Sequence, residues 1–121
     1  MKDLKRKIHY WCSDTMQNKI TGKGVVCAVL DTGITQHPDL VGRIVGWKDC
    51  VQGKKTIYDD NGHGTHVAGI LAGNGKSGRG LYSGMAPEAQ IFAVKVLNQR
   101  GGGKIRDVIN GIRYVLLKQK E

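Results

Sequence analysis

Val25-Val26-Cys27-Ala28-Val29-Leu30 is apolar at six consecutive positions and stops abruptly at Asp31-Thr32-Gly33. A strand with one solvated face alternates apolar and polar side chains. A run with no polar member asks for cover on both faces, the condition of a central strand in a parallel sheet flanked by helices. Open sheets of that kind place their sites at the carboxyl ends of the strands, which is where Asp31 stands. Asp31 as a simple turn cap fits the local sequence equally well at this point.

The rest of the chain supplies elements for such a sheet. Residues 1–24 read as a basic lead-in, with a short helix capped by Ser13 or Asp14 and a closing turn at Thr21-Gly22-Lys23-Gly24. Residues 43–49 read as a second strand and 91–97 as a third. A small, apolar helical run covers residues 63–72. Ile105, Val108, Ile109, Ile112, Val115 and Leu116 follow the i, i+3, i+4, i+7 spacing of an amphipathic helix that runs to residue 118. The order is β-β-α-β-α, an α/β arrangement without repeats or linkers. The glycine-rich stretch 73–80 lacks the G-x-x-x-x-G-K-[ST] spacing and a following helix, so it is not a phosphate-binding loop.

At 121 residues the chain has room for one domain at most. Its net charge of +9 raises the question of nucleic acid or anionic lipid. The basic residues are scattered, however, apart from Lys2, Lys5, Arg6 and Lys7, and the few aromatics do not interleave with them as stacking platforms. Neither a nucleic-acid nor a membrane partner is expected. Cys12, Cys27 and Cys50 show no C-x-x-C spacing, and an odd, unpaired set favours a reducing compartment. Ile8-His9-Tyr10-Trp11-Cys12 is too short and polar for a signal core. The compartment is left open, with the cytoplasm favoured on these two grounds.

The chemistry concentrates in Asp59-Asp60-Asn61-Gly62-His63-Gly64-Thr65-His66-Val67-Ala68-Gly69, a turn that hands over to a helix start with His63 at the junction. Within it, Gly62-His63-Gly64-Thr65-His66-Val67-Ala68-Gly69 resembles the histidine motif of the subtilisin-like serine proteases, the subtilases. Val29-Leu30-Asp31-Thr32-Gly33-Ile34 followed by His37-Pro38-Asp39-Leu40 resembles their aspartate motif. Gly84-Met85-Ala86-Pro87 followed by Ala93-Val94-Lys95-Val96-Leu97 is similar to the segment that comes next. The resemblance implies a partial doubly wound parallel sheet with three α/β/α layers, truncated after the helix that follows the third strand. Residues 1–20 would be the lead-in, and 21–121 the N-terminal part of an incomplete peptidase domain.

The same resemblance implies roles for individual residues. Asp31 matches the triad aspartate and His63 the triad base, which exchanges a proton with a serine hydroxyl and a leaving amine. Gly101, Gly102 and Gly103 match a segment whose backbone pairs with a peptide substrate as an added strand. Asp39 matches a calcium position in some members, but the longer glycine-rich stretch at 73–84 argues against carrying calcium over. No metal and no cofactor is expected. His63 and His66 have a spacing that can bind metal, yet lack the glutamate of H-E-x-x-H, and the family's second histidine is structural.

The family nucleophile lies in Gly-Thr-Ser-x-Ala, and none of Ser13, Ser77 and Ser83 has that context. The expectation is therefore a serine endopeptidase by family that is inactive as this chain alone. Its partners would be a peptide or protein substrate and the missing C-terminal half. The alternative is a non-catalytic peptide-binding module derived from a subtilase.

Overall fold

The computed structural model describes residues 20–78 and 83–119; the helix expected in the lead-in lies outside them. Three strands, β1 (Val26–Asp31), β2 (Ile44–Asp49) and β3 (Gln90–Lys95), and two helices, α1 (His63–Ala72) and α2 (Ile105–Gln119), alternate in the expected order. Short 3-10 turns occupy Pro38–Leu40 and Lys76–Gly78. The sheet is parallel throughout, in the order β1-β3-β2.

Among the described residues the middle strand is β3, and β1, expected at the centre, stands at one edge. Ile91, Ala93, Val94 and Lys95 are buried, whereas Val26 of β1 is 51% exposed. The apolar run of β1 is half-buried at Cys27, Val29 and Leu30 but exposed at Val26 and Ala28, and it says nothing about partners on its edges. Among the described residues its outer edge meets no strand. The third strand also ends two residues earlier than expected. The amides of Val96 and Leu97 both donate to the Asp31 carbonyl, so the chain leaves its ladder and crosses the end of β1.

Period-two alternation on β3 divides the molecule into layers. Ile91 and Ala93 join Ala68 and Ala72 of α1 in the main core with Ile34, Leu40 and Ala89. Gly64, Ala68 and Ala72 recur every four residues, and this small-residue face lets α1 lie close to the sheet. On the opposite face Phe92 tilts against Tyr114 of α2 at 5.9 Å. There a Cβ at Gly111 would lie 2.7 Å from Val96 Cγ1, so the glycine sets how closely α2 approaches. Each fully buried Ile or Val contributes about 1.5–3 kcal/mol relative to exposure. The α2 side is less completely covered: Val26, Val45, Leu116 and Leu117 remain exposed.

All three strands end on one rung. Asp31 pairs with Lys95, and Lys95 with Asp49, so the last residues of β1, β3 and β2 stand side by side. All three are charged, and all are buried. The rung marks the carboxyl rim of the sheet, where the loops after β1 and before α1 converge.

Candidate active site

Gly62 caps α1 in a left-handed conformation (φ 99°) and offers no side chain. A helix start leaves its first N–H groups without intrahelical acceptors. Here three different side chains take them. The amide of His63 donates to Asn61 Oδ1 (3.0 Å), that of Gly64 to Thr32 Oγ1 (2.8 Å) and that of Thr65 to Asp59 Oδ2 (2.8 Å). Thr32 in turn donates its hydroxyl to Asp59 Oδ1 at 2.8 Å. Gly64 has to be glycine because a Cβ would lie 2.2 Å from the Gly33 carbonyl oxygen. The mouth of α1 is thus pressed against the residues that follow Asp31.

That contact brings the two expected residues together. The Nδ1–H of His63 donates to Asp31 Oδ1 at 2.8 Å and lies 3.0 Å from Oδ2. Asp31 Oδ1 also accepts from the Thr32 amide at 2.7 Å, which fixes the carboxylate. The Asp31 side chain is 12% exposed and that of His63 61%. One ring nitrogen therefore faces a buried carboxylate, while most of the imidazole remains open to solvent. The hydrogen bond and charge of Asp31, with a smaller contribution from Asp59, raise the His63 pKa above its ordinary value. Such a couple accepts a proton at the outer nitrogen and stabilises the resulting cation.

Asp59, which the sequence presents as a turn residue, ties the assembly together. Burial opposes its charge. The Thr65 hydroxyl (2.6 Å), the amides of Gly62 and Thr65 and the Thr32 hydroxyl outweigh that, holding it well below the usual carboxylate range. Behind it, Lys95 Nζ donates to the Thr32 carbonyl (2.6 Å), Asp60 Oδ1 (2.8 Å) and the Leu97 carbonyl (2.8 Å). Asp49 accepts from the Tyr58 hydroxyl (2.6 Å) and from the amides of Val51, Gln52 and Lys54. These bonds overcome burial and lower the Asp49 pKa. Sequence reading missed Thr32, Asp59 and Lys95. The one signal for Lys95 was a single charge inside the apolar run 91–97.

Gly101, Gly102 and Gly103 are exposed and close a turn on Asn98. Gly102 accepts from the Asn98 amide at 2.7 Å and donates to Asn98 Oδ1 at 3.2 Å. Asn61 Nδ2 donates to the Gln99 carbonyl at 2.9 Å, fastening this turn to the His63 loop. The Gly101 carbonyl and both polar groups of Gly103 have no partner among the described residues. Asp39 spends a carboxylate oxygen on the Ser77 amide at 2.9 Å. Among the described residues no group of three His, Cys, Asp or Glu could hold a metal ion. His66 is exposed and helps line a cleft of about 540 Å³ with Thr35, His37, Leu40 and Ile70.

A parallel α/β sheet with this couple on its rim has close structural counterparts. The crystal structure of a cold adapted subtilisin-like serine proteinase superposes with a TM-score of 0.70 at 37% identity, covering 79% of this chain and 33% of that one. Sphericase gives 0.67 at 43% identity, over 78% and 32%. The subtilase family profile matches residues 22–120, and the chain belongs to the subtilase family. It is 55% identical over 97 residues to serine protease AprX of Bacillus subtilis (80% of this chain, 22% of that protein). It is 46% identical over 95 residues to subtilisin Savinase of Lederbergia lenta (78% and 34%). The chain thus spans about a third or less of the relatives it matches.

Proposed function

We propose that this chain supplies the acid–base half of a subtilisin-like serine endopeptidase site. The observation that carries this is the Asp31–His63 couple, with Nδ1 at 2.8 Å from a buried carboxylate and the ring otherwise open. In this reading His63 takes the proton of a serine hydroxyl through Nε2 and returns it to the leaving amine, and Asp31 holds the tautomer and stabilises the imidazolium. The serine comes from outside these 121 residues, since none of Ser13, Ser77 and Ser83 stands in Gly-Thr-Ser-x-Ala. The chain alone is inactive in this reading.

Gly101 and Gly103 form the edge that receives the substrate backbone. The Gly101 carbonyl and both polar groups of Gly103 supply the open backbone for this edge, while the Gly101 amide and both groups of Gly102 are held by Asn98. The same open edge favours the second reading, a peptide-binding module without catalysis.

A fluorophosphonate probe, which labels activated serines, separates the two. Residues 1–121 alone should stay unlabelled. Adding the segment of a subtilase relative that follows the matched region should restore labelling and peptide cleavage. Asp31→Asn should then lower turnover by about 10⁴-fold through the wrong tautomer. Restored labelling that His63→Ala leaves intact would refute the catalytic reading. Peptide binding by residues 1–121, with no restoration by any such segment, would favour the module.

A further inference from the structure

Lys95 is the largest side chain among the described residues with no exposed surface. A lysine rarely accepts that position, because its ammonium is strongly hydrated and loses that hydration on burial. Here three acceptors replace the water, one for each N–H: the carbonyls of Thr32 and Leu97 and the carboxylate of Asp60. The ring of Tyr58 lies 5.0 Å from the ammonium. No fourth acceptor is needed, and no buried side-chain nitrogen or oxygen among the described residues lacks a partner.

The three acceptors lie on three different segments. Thr32 directly follows Asp31. Asp60 stands just before the mouth of α1, and Leu97 opens the turn that carries Gly101 to Gly103. We propose that Lys95 is the positioning residue of the Asp31–His63 couple, its ammonium acting as a three-way tie between the loop after β1, the approach to α1 and the glycine turn. This rests on the reading of Asp31 and His63 as a catalytic couple. The Lys95 ammonium bonds to neither of them, although the backbone of Lys95 pairs with Asp31 in the ladder. Its effect on them comes through the backbone of Thr32 and through Asp60, whose loop ends in the Asn61 and Asp59 bonds to α1.

Positioning and plain electrostatics have opposite signs here. The charged groups around His63 are Asp31 and Asp59, which raise its pKa, with Asp60 and Lys95 behind them. Deleting a nearby cation would by itself raise the imidazole pKa further. Loosening the couple removes the Asp31 contact and lowers it.

The test follows the titration and tautomer of His63 in the 121-residue chain, labelled with ¹⁵N-histidine, by long-range ¹H–¹⁵N spectra. Asp31→Asn sets the uncoupled midpoint. Lys95→Met, which keeps the apolar stem, should move the midpoint most of the way to that value and mix the tautomers, while amides of β3 stay protected from exchange. Lys95→Arg should do the same, because a planar fork does not reproduce three divergent bonds. Asp60→Ala removes one arm at a partly exposed residue, and should mix the tautomers less than Lys95→Met does. If Lys95→Met does not fold, the tautomer mixture of Asp60→Ala decides, because loss of that anion lowers the midpoint by itself. A midpoint that stays put or moves up in a folded Lys95 variant, or an unmixed tautomer in Asp60→Ala, would overturn the positioning role. An Asp31→Asn midpoint equal to that of the unsubstituted chain would instead remove the couple itself, and this proposal with it.

Discussion

Asp59→Asn keeps the shape of the side chain and alters only its charge and one acceptor. In the native site Oδ1 accepts from the Thr32 hydroxyl and the amides of Asn61 and Gly62, and Oδ2 from the amide and hydroxyl of Thr65. The asparagine oxygen keeps the first set, and its NH₂ then faces Thr65. The Thr65 hydroxyl can rotate and accept; the Thr65 amide cannot. One charge-assisted hydrogen bond is lost, at about 1.5–3 kcal/mol. The favourable interaction of a carboxylate with the positive end of α1 also disappears, at about 0.3–1 kcal/mol. The expected loss is about 2–4 kcal/mol, read from urea unfolding at pH 7. The sign of the pH dependence is fixed as well. Because the folded state depresses the Asp59 pKa, its contribution is present above the ordinary aspartate value and fades as pH falls through the folded one. The native chain and Asp59→Asn should therefore converge in acid. A difference below about 0.5 kcal/mol at pH 7, the range of ordinary surface substitutions, would refute the role given to Asp59. So would a difference that does not shrink in acid.

Gly64→Ala places a Cβ 2.2 Å from the Gly33 carbonyl oxygen, where only backbone could yield. It should destabilise by about 2–4 kcal/mol and separate Asp31 from His63, seen as a fall in the His63 NMR midpoint. Gly62→Ala has open space and only the left-handed backbone to strain, at about 1–2 kcal/mol, so equal losses for the two would count against the close approach. His63 has a raised folded pKa, so its contact with Asp31 adds stability below the unfolded histidine value, and that contribution is lost as pH rises through the folded value. The native chain should accordingly exceed His63→Ala in stability by more at pH 5 than at pH 9; a constant gap would refute it. The exposed Val26, Val45, Leu116 and Leu117 should drive self-association at micromolar concentration, measured by light scattering after size exclusion. Glutamate at both leucines should reduce it.

Both helices were legible in sequence because each has a local signal, whereas Asp31 and His63 were joined only through the resemblance of their two motifs to the subtilases. Ile105 to Leu116 repeats at helical spacing, and the stretch around His63 combines a turn, a glycine start and a small-residue face. Lys95 and Thr32 had no such signal. Their partners lie 63 residues apart in sequence for the bond between them, and 27 for Thr32 with Asp59. A lysine in a strand ordinarily reads as solvent-facing, and nothing near residue 95 announces two carbonyls and a carboxylate waiting at its tip. β1 was placed at the centre for a related reason. Apolar patterning records what covers a strand's faces, whereas sheet order depends on which edges find partners.

The rung of Asp31, Lys95 and Asp49 also bears on how the sheet finds its alignment. A slip of one residue between β1 and β3 would turn the side chains of the shifted strand to the opposite face. Asp31 or Lys95 would then lie against the layer that holds Val94, Val96 and Gly111, away from Thr32, Asp60 and the mouth of α1. Mispaired sheets carry a stranded charge, and the native alignment gives Lys95 its acceptors and Asp31 and Asp49 their donors. The rung works as a key for assembly: the chain cannot align its strands correctly without also forming the Asp31–His63 couple's foundation, and cannot form that foundation on a misaligned sheet.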